Sequence, residues 1–404
     1  MKQVSGGVCA PQGFTAAGVH CGVRKNRTKR DLALIVSEAP CAAAAVYTQN
    51  LVKGAPIAVT RAHLQNGLAQ AIVCNSGNAN TCNAGGEQVA GRMCAAAAQA
   101  LGIDASDVIV ASTGVIGQPL DPAPIEAAMP ALAAALSRGG SGDAAEAIMT
   151  TDLAKKEVAV AFEAGGRTCT LGGIAKGSGM IHPNMATMLV FLTTDAAISP
   201  DMLRLALSAD VKDSFNMISV DGDTSTNDMV AILANGLAGN PVITAPGSDF
   251  DAFAAALACV TRQLCRAIAH DGEGAGRLLT CRVSGARSAA DARTVAKAVI
   301  CSNLVKTAMA GADANWGRVL CAIGYAGADV DVSKVDVNFR SNRGLIPVCR
   351  GGAGVAFSEE TAKEILTDDE ITVQVALNSG SASAKAWGCD LTYDYVKING
   401  DYRT

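Results

Sequence analysis

The sequence GIAKGSGMIHPNMATML, residues 173–189, joins a glycine-rich stretch to an apolar strand, with Ala186 and Thr187 at the junction. A threonine that enters a buried strand is usually structural, because its β-branched side chain suits a strand. The functional alternative is that Thr187 attacks the carbonyl of Ala186, so that the chain cuts itself by an N-to-O acyl shift and ester hydrolysis. Ala186 leaves that carbonyl unshielded, and the upstream glycines permit the strained turn that the attack requires.

Such a cut gives Thr187 a free α-amine, which titrates near pH ~7.7 and can accept the proton of the threonine's own hydroxyl. This suits a chain with only four histidines, widely separated and without an HExxH pattern. Neither a Ser-His or Cys-His pair nor a metal site is predicted from them.

The composition points to a folded protein with a large core, since 50% of its 404 residues are hydrophobic and 17% are charged. Aromatic residues make up only 4%, while glycine occurs 42 times, so backbones can pack closely. A formal net charge of −4 gives no overall case for binding nucleic acid. The basic run at residues 24–30 lacks an aromatic residue for base stacking and is interpreted as a solvated loop or hairpin.

The cysteine pattern and the absence of a recognisable export signal predict a cytoplasmic protein without a membrane span. The longest apolar run, residues 252–260, covers nine residues, whereas a bilayer-spanning helix needs about twenty. The fourteen cysteines are scattered singly, which favours reduced, buried thiols over disulfides.

Helix and strand signals alternate along the chain and predict a layered α/β or α+β fold. Helices are expected at residues 86–102, 121–139, from Ser199 through Leu207, at 250–269, and from Ser358. Strands are expected at residues 71–74, 157–162, 188–192, 330–337, 371–377 and 391–395. The glycine clusters at 172–173, 177–179 and 272–274 match no phosphate-binding or nucleophile-elbow motif and are expected to form turns.

The segment KGSGMIHPNMATML, residues 176–189, resembles the processing site of the ornithine acetyltransferase (glutamate N-acetyltransferase, ArgJ) family. Further family-like motifs follow one another in the same order along the whole chain. They are the stretch from GGV at residues 6–8 to Gly18, CNSGNAN at 74–80, STGVIG at 112–117, MTTD at 149–152, DGDTSTND at 221–228, DGEGA at 271–275, GADANWGR at 311–318 and NGDYRT at 399–404.

This resemblance implies a layered αββα arrangement of the DmpA/ornithine acetyltransferase type, similar to N-terminal-nucleophile enzymes. It implies that self-processing between Ala186 and Thr187 yields an α chain, 1–186, and a β chain, 187–404, of one intertwined fold. The two chains are expected to assemble as an α2β2 heterotetramer.

The resemblance also assigns roles to individual residues. Thr187 matches the nucleophile, and Thr113 and Gly114 match the oxyanion hole, where each donor is worth roughly 3–4 kcal/mol. The expected substrate contacts are Thr150 or Thr151, Lys176, Thr187, Glu273, Asn399 and Thr404.

The expected donor substrate, N2-acetylornithine, explains two of these residue types. Its α-carboxylate suits Lys176 and its side-chain ammonium suits Glu273, although each residue alone would be an ordinary loop lysine or helix-terminal carboxylate. The chain departs from the family where Gly276-Arg277 replaces the usual Thr-Lys, which puts in doubt how the Glu273 loop is held.

The sequence therefore predicts a self-processing acetyltransferase of arginine biosynthesis that passes the acetyl group to L-glutamate by ping-pong kinetics. No cofactor is predicted, and the sequence neither predicts nor excludes acetyl-CoA as a second donor. Two alternatives stay open: an amidase or aminopeptidase of related fold, and an uncleaved amino-acid-binding or scaffold protein.

Overall fold

The computed structural model describes residues 1–182 and 188–400, so Ala186, Thr187 and Thr404 lie outside the described residues. The chain divides into two compact units. Unit 1 comprises Met1–Gly177, Pro183–Phe215 and Thr224–Leu264, and unit 2 comprises Ser178–His182, Asn216–Asp223 and Cys265–Thr404.

The described residues form sixteen strands and eleven α-helices. The strands are β1 Lys2–Val4, β2 Phe14–Val19, β3 Leu32–Tyr47, β4 Leu68–Asn78, β5 Val108–Val115, β6 Lys156–Ala164, β7 Arg167–Lys176, β8 Leu189–Thr194, β9 Ile218–Ser219, β10 Met229–Ala234, β11 Leu278–Ala286, β12 Asp336–Ser341, β13 Gly344–Arg350, β14 Ala353–Gly354, β15 Glu370–Ala376 and β16 Ala382–Cys389. The helices are α1 Ala55–His63, α2 Gly86–Leu101, α3 Ala123–Ala134, α4 Ser141–Ile148, α5 Pro200–Asp210, α6 Ser248–His270, α7 Ala289–Cys301, α8 Asn303–Ala310, α9 Trp316–Gly324, α10 Glu359–Leu366 and α11 Tyr393–Gly400.

Unit 1 is built on a nine-stranded sheet in the order β1-β6-β7-β8-β10-β3-β4-β5, with β2 also paired to β3. Its strands are antiparallel except for the pairs β8–β10 and β4–β5. Strands from both sides of residue 186 therefore share this sheet, because β8 and β10 lie between β7 and β3. The predicted chain boundary does not coincide with the boundary between units, and the cut itself stays a prediction.

Helices cover both faces of this sheet through small apolar side chains. On one face α2 and α3 bury Met93, Ala97 and Met129 against Leu34 and Val73. On the other face α4 buries alanines in a second cluster, which contains residues of β2, β3, β4, β7, β8 and β10. The layered α/β prediction is confirmed, and the alanine-rich composition allows the close packing.

Unit 2 contains the second sheet, with seven strands in the order β14-β13-β12-β15-β11-β16-β9. Helix α7 packs on β11 and β16, and α10 packs on β12 and β13. Most of the helices expected from the sequence are present, and side-chain caps at Ser199 and Ser358 mark the starts of α5 and α10.

Three predicted features are wrong. Residues 393–400 form helix α11 rather than a strand, and Thr392 opens it by accepting a hydrogen bond from the Asp394 amide at 3.3 Å. Val332 starts a 3-10 turn, residues 332–334, whose N-cap residue Asp331 accepts from the Ser333 amide, and strand β12 starts only at residue 336. Residues 172–173 lie inside β7 rather than in a turn.

The remaining expectations about surface and chemistry agree with the described residues or stay untested. Residues 24–30 lie in the loop between the antiparallel strands β2 and β3, as expected. All fourteen cysteines are free. Helix α6 is long and apolar enough to cross a membrane by length and composition, but half of its most apolar window is buried in the fold, as in a core helix.

Candidate active site

The described chain resumes at Met188, directly after the expected nucleophile, and enters the buried strand β8 that the sequence predicted. Every residue of β8 is buried, and Met188 is 2% exposed. Strand β10 runs parallel to β8, and the Met229 amide donates to the Met188 carbonyl at 2.9 Å. The position immediately after Thr187 is therefore fixed within the sheet of unit 1.

Lys176 ends strand β7, where the strand register pairs it with Leu189 at the start of β8. Its side chain is buried, and its Nζ lies 3.4 Å from Oγ1 of Thr113. A threonine hydroxyl that accepts a hydrogen bond from an ammonium keeps its own hydrogen for donation. The structure thus brings together two of the predicted site residues from strands that are distant in sequence.

Gly114 follows Thr113 in β5 in a conformation that requires glycine. Its φ is +130°, and a Cβ there would lie 2.3 Å from the carbonyl carbon of Gly77 on the parallel strand β4. The close approach of β4 and β5 leaves no room for a side chain. The backbone of β5 at Thr113–Gly114 is therefore held close to β4, and a fixed backbone is what a preorganised oxyanion hole requires.

Asp152 joins the Lys176 end of β7 to the MTTD segment. One carboxylate oxygen contacts Lys156 Nζ at 2.7 Å and accepts from the Gly177 amide at 2.6 Å, and the other accepts from the Thr150 amide at 2.9 Å. Burial works to raise the pKa of Asp152, but the charges of Lys176 and Lys156 and these hydrogen bonds hold it at about 2. Asp152 belongs to the family-like MTTD motif, but its role as this support is visible only in the fold.

Both threonines that precede Asp152 are half-buried. The Thr150 amide is the one tied to the Asp152 carboxylate, which fixes the backbone of this pair relative to Lys176. This geometry does not select between Thr150 and Thr151 as the substrate contact, so both remain candidates.

Asp228 is a second buried carboxyl group that sequence reasoning missed. Its Oδ2 has no hydrogen-bond partner, and the residue is 3% exposed. Burial raises the pKa of Asp228 well above its usual value, and the Ser225 hydrogen bond and the Lys176 charge offset only part of this rise. The net shift in the pKa of Asp228 is therefore opposite in direction to that of Asp152.

In unit 2, Glu273 lies in the turn that follows α6. Its amide donates to the Ser178 carbonyl at 2.9 Å, and its Oε2 accepts from Asn399 Nδ2 at 2.8 Å. A Cβ at residue 179 would lie 2.3 Å from Oε2, so Gly179 is needed for the carboxylate to occupy this position. Two predicted contacts, Glu273 and Asn399, are thus brought together.

Asp221 holds the short segment that leads toward the expected cut. Its carboxylate oxygens accept from the amides of Met180 at 2.6 Å and Ile181 at 2.8 Å, and the Val220 amide donates to the Ile181 carbonyl at 2.7 Å. Ile181 is 1% exposed. Backbone and side-chain bonds therefore anchor residues 180–181 to the DGDTSTND segment within unit 2.

His182 follows this anchored segment and is held in its neutral form. Its Nδ1 lies 3.1 Å from Ser219 Oγ and 3.6 Å from Cys301 Sγ. Burial and the charge of Lys297 lower the pKa of His182 to about 4, although Asp221 acts in the opposite direction. At neutral pH this histidine carries no charge beside the segment that contains the expected cut.

The departure at residues 276–277 leaves the Glu273 loop well held. The amides of Gly276 and Arg277 donate to Asp390 Oδ1 at 2.8 and 3.1 Å. The Arg277 guanidinium donates to the carbonyls of Met309 and Ala310 at the end of α8, where a cation suits the helix dipole. Among residues 1–182 and 188–400, no group of three or more His, Cys, Asp or Glu could hold a metal ion.

Comparison with known proteins identifies the family. The ArgJ family model matches residues 15–404. The chain is 54% identical to the arginine biosynthesis bifunctional protein ArgJ of Symbiobacterium thermophilum, over 100% of both chains. It is 48% identical to the protein of the same name from Bacillus subtilis, over 100% of this chain and 98% of the relative.

A crystal structure of the arginine biosynthesis bifunctional protein ArgJ from Bacillus halodurans is also similar, with 46% identity and a TM-score of 0.50. That match covers 52% of this chain and 97% of the crystallised one. The whole-length sequence match carries the assignment, and the chain belongs to the ArgJ family.

Proposed function

We propose that the chain transfers an acetyl group from N2-acetylornithine to L-glutamate through an acetyl ester on Thr187, after it has cut itself between Ala186 and Thr187. Membership of the ArgJ family makes the chain an enzyme of arginine biosynthesis. The enzyme class expected from the sequence, glutamate N-acetyltransferase, agrees with that membership. The acetyl-enzyme route and the self-cleavage are the proposal.

The observation that carries the mechanism is the contact between Lys176 and Thr113 beside Gly114, in the unit whose strand β8 starts just after Thr187. In the first half-reaction the Thr187 hydroxyl oxygen attacks the acetyl carbonyl, and the hydroxyl proton passes to the threonine's α-amine. Donors from Thr113 and Gly114 of β5 stabilise the oxyanion. The carbon–nitrogen bond then breaks, and ornithine leaves with the proton on its amine.

The second half-reaction reverses these steps with a different amine. The α-amine of glutamate attacks the acetyl ester, the ester bond to Thr187 breaks, and the hydroxyl is restored as N-acetylglutamate leaves. A covalent intermediate shared by both halves requires ping-pong kinetics. If water instead of glutamate attacked the acetyl ester, the chain would be an amidase, which is the alternative hypothesis.

Self-cleavage is supported by the chain length of a relative. The Bacillus halodurans match covers nearly all of the crystallised chain but only about half of this one, so the crystallised chain is about half as long. A chain of that length fits one product of a cut near the middle. Anchoring of Met180 and Ile181 by Asp221 on one side, and of Met188 by β10 on the other, would hold both ends of the scissile segment.

The substrate contacts follow the charges. We propose that Lys176 binds the α-carboxylate, while the Glu273 carboxylate, aligned by Asn399, binds the side-chain ammonium of N2-acetylornithine. Thr150 or Thr151 and Thr404 complete the proposed contacts. The α2β2 assembly, the cytoplasmic location, acetyl-CoA as a second donor, and the lack of a cofactor, nucleic-acid partner or membrane remain predictions.

The test uses purified wild-type protein, Thr187→Ala and the conservative Thr187→Ser. On a denaturing gel we expect two bands for the wild type, the same two formed more slowly for Thr187→Ser, and one intact band for Thr187→Ala. Normal cleavage of Thr187→Ala would exclude Thr187 as the nucleophile.

Activity is then measured with N2-acetylornithine in the presence and absence of glutamate, beside an acetyl-CoA plus glutamate arm. We expect ornithine release that depends on glutamate, with N-acetylglutamate formed in equal amount. Fast ornithine release without glutamate and no N-acetylglutamate would establish the amidase instead.

A further inference from the structure

Asn227 is a buried amide in unit 1 whose hydrogen-bonding capacity is completely used. Its Nδ2 donates to the carbonyls of Ala79 at 2.5 Å and Ser112 at 3.0 Å. Its Oδ1 accepts from the hydroxyls of Thr81 and Thr226, both at 2.6 Å. Two acceptor and two donor contacts fix both the position and the orientation of the amide.

The contact with Ser112 bears directly on the expected oxyanion hole. Ser112 immediately precedes Thr113, and a peptide unit is planar, so a fixed Ser112 carbonyl also fixes the direction of the Thr113 amide. On the opposite side, the Ser112 hydroxyl donates to Asn75 Oδ1 at 2.6 Å on the parallel strand β4. Asn227 and Asn75 thus hold Ser112 through its carbonyl and its hydroxyl respectively.

The backbone of Asn227 leads within two residues to β10, the strand that pairs with β8. Met229 pairs with Leu189 in the parallel β8–β10 register, and its amide donates to the Met188 carbonyl. The tripeptide 227–229 thus connects the Ser112–Thr113 peptide at one end with the residue after Thr187 at the other.

The partners of Asn227 require an amide rather than a carboxylate. Aspartate has the same shape but offers no donor, so the carbonyls of Ala79 and Ser112 would face a carboxylate. The position of the amide also requires glycine at residue 54, because a Cβ there would lie 2.4 Å from Asn227 Nδ2. Gly54 therefore belongs to the same arrangement.

We propose that Asn227 is a positioning residue that holds the oxyanion segment, residues 112–114 of β5, in register with the start of β8 and so with the nucleophile that precedes it. This inference rests on the proposed function, since it assumes that Thr187 attacks and that the oxyanion segment receives the oxyanion. Asn227 acts through this segment and is assigned no contact with substrate.

Asn240 provides a matched control in the same unit. It is equally buried, at 6% against 7% exposed, and its amide also bridges backbone groups, with Oδ1 accepting from the Ala197 amide and Nδ2 donating to the Ala197 and Pro241 carbonyls. These hydrogen-bond partners of the Asn240 side chain lie neither in β5 nor next to Thr187 in the sequence. At either position, a change to aspartate replaces the buried amide donor by a carboxylate oxygen.

The experiment compares the wild type with Asn227→Asp and Asn240→Asp by self-cleavage rate, thermal unfolding, and kcat and KM for acetyl transfer from N2-acetylornithine to glutamate. For Asn227→Asp we expect kcat to fall about 10²–10³-fold, as on loss of an oxyanion donor, with KM changed less than about threefold. The rate of self-cleavage should fall in parallel, because the proposed cleavage uses the same oxyanion segment, residues 112–114. Asn240→Asp should keep both rates within about threefold, even if its Tm falls.

Three results would overturn the inference: unchanged kcat and cleavage in Asn227→Asp, a change confined to KM, or an equal kcat loss in Asn240→Asp. If Asn227→Asp does not fold, Thr81→Val decides, because it removes one hydroxyl donor to Asn227 and leaves the amide in place. We expect that variant to lose about tenfold in kcat, and an unchanged kcat would reject the proposal.

Failure of the proposed function gives a different pattern. A wild type that cleaves itself but transfers no acetyl group would reject the acetyltransferase and leave the role of Asn227 to be judged by cleavage alone, with Asn227→Asp slow and Asn240→Asp normal. A wild type that neither cleaves nor transfers would reject both.

Discussion

The residues proposed to do chemistry and those proposed to recognise the ornithine side chain are held in different ways. In unit 1, Lys176, Thr113 and Gly114 lie at strand ends, and their supports, Asp152 and Asn227, are buried and multiply hydrogen-bonded. In unit 2, Glu273 lies in a turn and Asn399 on the exposed helix α11. Positions that stabilise a transition state need rigidity, whereas a contact with a flexible substrate side chain tolerates adjustment.

The sharpest way to break this comparison is Gly114→Ala. The new Cβ would clash with the Gly77 carbonyl carbon, and the φ of +130° disfavours any side chain. We expect kcat to fall at least about 10²–10³-fold, the cost of a displaced oxyanion donor. Gly117→Ala is the control, because φ there is also positive, +81°, but no atom lies within 4 Å of the new Cβ. Equal losses in both variants would attribute the effect to backbone strain alone.

The next largest effect is expected for Asp152→Asn, measured as stability. The change removes the carboxylate charge from the buried Asp152–Lys156 ion pair, and loss of one partner of such a pair costs about 3–5 kcal/mol of unfolding free energy. Because the folded pKa of Asp152 lies at about 2, below its unfolded value, its contribution is present above about pH 4 and lost as pH falls toward 2. Urea unfolding at several pH values should show the two proteins converging in acid. A constant difference would contradict the ion pair as its cause.

Substitutions in unit 2 should change KM more than kcat. Glu273→Gln removes the charge proposed to bind the substrate ammonium, a charge-assisted bond worth about 1.5–3 kcal/mol, so KM for N2-acetylornithine should rise about 10- to 100-fold. Gly179→Ala should have the same kind of effect, since its Cβ displaces the intact carboxylate. A fall in kcat with unchanged KM would place Glu273 among the chemical groups instead.

The smallest effect, with the opposite sign, is expected for Asp228→Asn. A raised folded pKa stabilises the protein at low pH, and that stability is lost as pH rises above the unfolded value near 4. The neutral amide avoids this loss, so its unfolding free energy relative to wild type should improve from pH 4.5 to 8. A variant that becomes relatively less stable at pH 8 would show that Asp228 is ionised beside Lys176.

Local sequence signals were sufficient where one residue decides the conformation. Ser199 and Ser358 start helices because a serine side chain can accept from the first free amides. At residues 391–395, three apolar residues that alternate with polar ones were not enough to predict the structure correctly. Thr392 caps a helix there instead.

Long-range contacts were beyond reach from the sequence. Gly172 lies in β7, and residue 172 must be glycine because a Cβ there would come 1.9 Å from the Gly7 carbonyl oxygen, a contact across more than 160 residues. The motifs containing Asp152, Asn227 and Asp228 were recognisable, but their roles depend on burial and on partners from other strands. Only the fold brings those partners together.

The placement of β8 and β10 between β7 and β3 has a consequence for how the mature enzyme can be made. If the chain is cut before Thr187 as proposed, strands of two polypeptides alternate in one sheet. An uncut precursor is then needed to assemble this sheet, but the sheet persists after the cut. Refolding of denatured, cut protein becomes a bimolecular reaction whose yield should depend on concentration. The uncut Thr187→Ala precursor should refold independently of concentration. After the cut, by contrast, a denatured molecule cannot regain its fold without meeting a second polypeptide.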